Sequence, residues 1–101
     1  MRNCVANWEP LRLILEDDSV EEFMFMGCVA GPGGVILFLY KHYGNRVYVR
    51  LDAEGRLYKW QADSAPLALG TYSEIALEDA LAIFAKTGWP LKVKDPRRLT
   101  N

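Results

Sequence analysis

A chain this small does covalent or proton-transfer chemistry most readily through histidine and cysteine, and it has one of the first, His42, and two of the second, Cys4 and Cys28. Nucleophilic catalysis needs a base beside the nucleophile. The pairing to test is Cys28 with His42, which flank the loop Gly31-Pro32-Gly33-Gly34. If that loop closes a simple hairpin, Cys28 stands five residues from its centre and His42 nine or ten, so the two are not opposite. His42 then reads as an ordinary polar residue in or beside a turn. Neither cysteine belongs to a C-x-x-C pair and no histidine is near either in sequence, which disfavours zinc. A disulfide between them stays open. The first residues lack the apolar core of a secretory leader, so reduced thiols in a cytoplasmic protein are expected.

Carboxylates offer little more. Glu16, Asp17, Asp18, Glu21 and Glu22 form an acidic group without the D-x-[DN]-x-[DN]-G spacing of a calcium loop. A solvated acidic turn explains them, and no two carboxylates are placed as an acid–base pair. The glycine loop lacks the lysine of a phosphate loop, is followed by a strand-like run, and contains Pro32, which has no N–H to offer an anion. No catalytic residue, metal ligand or cofactor is therefore assigned.

The chain has 101 residues, which suits a single domain over 1–101, and half of them are apolar. Twelve Lys and Arg against 13 Asp and Glu leave a net charge of −1. Nucleic-acid binding without sequence preference runs on excess positive charge, so it is disfavoured. The longest apolar run, residues 35–40, is far short of the roughly 20 residues that cross a bilayer. Acids crowd residues 9–22 and bases the tail, where Lys92, Lys94, Arg97 and Arg98 outnumber Asp95. Solvated charges account for this asymmetry, although opposite ends can also pair.

The elements that would position these residues centre on 35–62. Residues 35–41 are β-rich and apolar on both sides of the pleat, as in a central strand covered on both faces. Gly44-Asn45 favours a tight hairpin turn. Residues 46–52 alternate, Ala53-Glu54-Gly55 reads as a three-residue turn with glycine left-handed, and 56–62 is the partner strand. Residues 22–30 favour a strand, because Gly27 is poor helix material, although Ser19 and Glu22 match a capping box. Residues 8–16 are either a helix capped by Asn7 or a strand. Residues 63–72 read as a loop. Residues 77–86 form the clearest helix, with Leu77, Ala80, Leu81 and Phe84 on one stripe and Gly88 as its stop. Residues 90–101 read as an extended basic tail. The expected fold class is α+β: an antiparallel β-meander of at least three strands with a C-terminal helix packed on one face.

The Gly55 turn sets a register. Asp52 lies opposite Arg56, then Leu51 opposite Leu57, Arg50 opposite Tyr58, Val49 opposite Lys59 and Tyr48 opposite Trp60. Side chains alternate across a sheet, so one face carries Arg46, Tyr48, Arg50, Asp52, Arg56, Tyr58 and Trp60. Lys41 and Tyr43 join it if Gly44-Asn45 is a two-residue turn. The opposite, aliphatic face seats the helix. Tyr, Trp and Arg are enriched at binding hot spots, although cross-strand pairs of these types also stabilise a sheet by themselves. The candidate site is Arg46, Tyr48, Arg50, Arg56, Tyr58 and Trp60. The expectation is a small non-catalytic protein-interaction module with a protein partner or itself, as a homodimer. Two alternatives stand beside it: single-stranded nucleic acid stacked on the same face, and a small ligand or substrate held between sheet and helix.

Overall fold

Two glycine-bearing turns organise the centre of the fold. The computed structural model describes residues 4–61 and 71–94. At the first turn His42 and Val47 close the hairpin through the bond from His42 N–H to the Val47 carbonyl, 3.0 Å. The loop between them has four residues, not two, with Arg46 left-handed at φ 62°. The pairing is nevertheless the expected one, because a four-residue loop across 42–47 and a two-residue turn at Gly44-Asn45 share one centre. At the second turn Gly55 is left-handed (φ 86°), and Asp52 N–H donates to the Arg56 carbonyl at 3.0 Å. This is the predicted three-residue turn.

These hairpins belong to a five-stranded antiparallel sheet in sequence order, β1 (Phe23–Ala30), β2 (Ile36–His42), β3 (Tyr48–Leu51), β4 (Leu57–Gln61) and β5 (Thr71–Ile75). The fold is an α+β meander with a C-terminal helix, α3 (Leu77–Lys86). Residues 8–16 resolve as a helix, α1 (Glu9–Ile14), where Pro10 fits the first turn and Asn7 Oδ1 accepts from Glu9 N–H at 3.1 Å. A one-turn helix, α2 (Asp17–Val20), follows. Ser19 does not start a helix toward Glu22. It is buried inside α2, and its hydroxyl accepts from the distant Lys92 N–H at 2.9 Å. Residues 23–30 are therefore free to be a strand, and Gly27 (φ 117°) follows the bulge at Met26 that bends it.

Two expectations need correction. Residues 71 and 72, read as loop, begin β5, which pairs with β4 from Gln61–Thr71 to Leu57–Ile75. The rest of that loop, 63–70, lies outside the described residues, as do Ala62, the expected end of the strand over 56–62, and the tail from residue 95. Within 91–94, Val93 pairs with Leu15 and Lys94 N–H donates to the Ile14 carbonyl. The second correction concerns the thiols. Cys4 and Cys28 are joined in a disulfide, with Cα atoms 6.0 Å apart. Their spacing of 24 residues says nothing about proximity. It is the pairing of Tyr40 Oη with the Asn7 carbonyl (2.6 Å) and of Trp8 with Phe25 and Tyr40 that lays the N-terminal segment along β1.

The core lies on one side of the sheet. Phe23, Tyr40, Val49, Leu51 and Leu57 point there and meet Leu11 and Leu15 near α1, Val20 of α2, and Ala80 and Phe84 of α3. The helical stripe thus seats on the aliphatic face, as its spacing implied. His42 is fully buried there among the rings of Phe23, Phe84 and Trp89. Its Nδ1 accepts from the backbone N–H groups of Gly44 and Asn45, which leaves Nε2 to donate to Glu22 Oε1 at 2.8 Å. The ring is a structural pin, and Cys28 is opposite Phe38, not His42.

Candidate binding face

The other side of the sheet holds the candidate site, and among the described residues no helix covers it. Register places Met24, Lys41 and Tyr48 in one row and Leu39, Arg50, Tyr58 and Glu74 in the next. Strand β5 adds Tyr72 beside Trp60. The face has two different ends. Toward the β1–β2 tip it is closed. Leu37 is fully buried, and the 3-10 turn over Pro32–Gly34 comes against β5. A side chain at Gly31 would overlap Leu37. Toward the β2–β3 turn the face is open, and Trp60 is 42% exposed.

The open end is a run of alternating rings and cations. Lys41 Nζ lies 5.8 Å from the centroid of Tyr48, and the Arg50 guanidinium lies 5.7 Å from Tyr48 and 5.6 Å from Tyr72. Tyr72 meets Trp60 edge to face at 4.8 Å. Each cation sits in the favourable field of a ring face. Among the described residues neither Lys41 nor Arg50 has a carboxylate within ion-pair distance. Among the described residues the buried Arg50 Nε likewise finds no hydrogen-bond acceptor.

The six candidate residues divide. Tyr48, Arg50 and Trp60 are gathered at the open end. Tyr58 is turned into the closed end, 9% exposed, with its hydroxyl donating to Asp52 Oδ2 at 3.1 Å. Burial, then the Asp52 hydrogen bond, pushes its phenol pKa up. Arg56 is held by Asp52 (Nε to Oδ2, 3.0 Å) and by Glu54. Arg46 sits in the left-handed position of the four-residue loop, exposed. Sequence reasoning left Lys41 and Tyr72 out of the site. Tyr72 is hidden because residues 71 and 72, the start of β5, fall in the expected loop. The signal that was present is the alternation Tyr72, Glu74 against Ser73, Ile75.

Asp52 anchors the closed end. It is 3% exposed and accepts from the backbone N–H groups of Glu54 and Arg56 (both 2.9 Å), from Arg56 Nε and from the Tyr58 hydroxyl. Burial works to raise its pKa, but these hydrogen bonds together outweigh it and hold the carboxyl below its ordinary value.

Comparison with protein-family models, with curated proteins and with solved structures gave no match. The functional reading therefore rests on the geometry.

Proposed function

We propose that this protein is a non-catalytic interaction module that binds a protein through the open end of the sheet face opposite α3. The run Lys41, Tyr48, Arg50, Tyr72 and Trp60 carries this reading. Rings with few rotatable bonds give contact area at small entropic cost, and Tyr, Trp and Arg dominate measured hot spots. Two cations without carboxylate partners favour an acidic or aromatic counterpart. A second copy of the chain is the simplest such partner. Glu74 shares the face with Lys41 and Arg50, so the patch carries both signs, as a two-fold self-complementary interface requires. The Cys4–Cys28 bond favours an oxidising compartment over the cytoplasm.

Single-stranded nucleic acid is the second reading, favoured by the interleaving of cations with rings on which bases stack. Light scattering after size exclusion, over a concentration series, separates the two. A wild-type dimer that Trp60→Ser converts to a folded monomer is the expected result, with affinity weakened by about 2 kcal/mol or more. A monomeric wild type that binds a labelled oligothymidylate, with affinity falling steeply as salt rises, would move the face to nucleic acid. An unfolded Trp60→Ser would make Trp60 a core residue and end both readings.

A further inference from the structure

Strands β3 and β4 pair at Leu51–Leu57 and Arg50–Tyr58 and then part. Each remains bound to its other neighbour, β3 to β2 as far as Tyr48–Lys41 and β4 to β5 as far as Gln61–Thr71. The parting leaves an opening of about 330 Å³. Its floor is apolar, formed by Val49 with Ala80, Ile83 and Phe84 of α3. Its charged lining residues are Arg50 and Lys59, and among the described residues no carboxylate lines it.

The opening also exposes backbone. In an antiparallel ladder, bonded and non-bonded pairs alternate. The bond from Asp52 N–H to the Arg56 carbonyl makes Asp52–Arg56 a bonded pair, so Arg50–Tyr58 and then Tyr48–Trp60 follow as bonded pairs. The ladder ends before the last of these. The N–H and C=O groups of Tyr48 and Trp60 therefore face each other across the gap without ladder bonds between them. Backbone groups withdrawn from water are nearly always partnered. Among the described residues, an apolar floor, two cations, no acid and backbone donors without a ladder partner describe a site for a small organic anion.

We propose that the opening binds a small aromatic carboxylate. Its hydrocarbon enters over Val49 and the exposed side of Ile83, and its carboxylate is taken at the rim by Arg50, with Lys59 adding to the positive field. The volume is at the lower end for small-molecule sites and suits a ligand of about a dozen non-hydrogen atoms. This goes beyond the protein-binding face. Tyr48, Arg50 and Trp60 belong to both the run and the opening, whereas Ile83 lines the opening from α3 and has no place in the run, so the Ile83 variants and the uncharged ligand separate the two ideas.

The test is a titration of 2-naphthoate into isotope-labelled protein, followed by amide NMR. The expected result is saturable movement of the Tyr48 and Trp60 amides with a dissociation constant below about 1 mM, consistent with the efficiency of ligands this size. Ile83→Trp, which fills the opening, abolishes the movement, whereas Ile83→Ala retains it. Arg50→Gln weakens binding at least about tenfold, and uncharged 2-naphthalenemethanol binds wild type weaker by a similar factor. If Ile83→Trp does not fold, Arg50→Gln and the uncharged analogue carry the test. The proposal is overturned by an absence of saturable shifts up to about 5 mM, well past the affinity expected for such a ligand. It is equally overturned by naphthoate binding that folded Ile83→Trp leaves unchanged, or by binding indifferent to charge.

Discussion

Asp52→Ala is expected to lower the stability of the fold by about 3 kcal/mol, because one buried carboxylate serves four donors and its removal leaves the Tyr58 hydroxyl without an acceptor in a closed pocket. In a domain of this size that is a fall in melting temperature of roughly 12–24 °C. The turn itself is also released, since two of the four bonds hold its backbone at Glu54 and Arg56. Asp52→Asn keeps an acceptor but loses the charge, so it should fall between. The pH dependence has a definite sign. The folded-state pKa lies below the ordinary value of 3.8. The stabilisation is therefore fully present above that ordinary value and is lost as pH falls through the folded-state value. Thermal melts of wild type and Asp52→Ala should differ most near neutrality and converge in acid. A gap that stayed constant down to the acid end would show that the charge of Asp52 does not stabilise the turn.

Cys28→Ser should be about as damaging, by about 3 kcal/mol, for a different reason. The bond to Cys4 closes a loop spanning α1, α2 and most of β1, and chiefly restricts the unfolded chain. Reduction of wild type should reproduce the loss, and reduction of Cys28→Ser should add nothing. Denaturant unfolding with and without reductant makes the comparison. Two titratable thiols in unreduced, denatured wild type would refute the bond. Trp8, which packs on Phe25 and Tyr40 beside the bonded segment, is the natural fluorescent reporter of its release.

The Asp52 network shows what a candidate site loses when it is read from alternation alone. Alternation places Tyr58 and Arg56 on the same face as Tyr48 and Trp60, and the register bears that out for the strand residues. It does not say that the face is closed at one end and open at the other. That difference follows from the approach of the β1–β2 tip to β5, a contact of the 3-10 turn at Pro32–Gly34 with the last strand of the sheet. Tyr58 is consequently a packing and hydrogen-bonding residue. Tyr72, from a strand with few apolar residues, takes its place beside Arg50.

By itself the sequence determined the local geometry. Gly55 in its turn and the spacing of the hairpin around 42–47 fixed both registers, because a short loop leaves few ways to close. The 3.6-residue stripe of α3 and the pleat of β2 and β3 likewise chose their faces without outside help. Everything that required distant segments to meet was decided by the tertiary structure. The Cys4–Cys28 bond, the seat of Ser19 under Lys92, the enrolment of residues 71–75 as β5 and the parting of β3 from β4 each depend on partners far apart in the chain. Local propensity is silent there, since the free energy that selects these arrangements comes from burial and pairing that exist only once the sheet has formed.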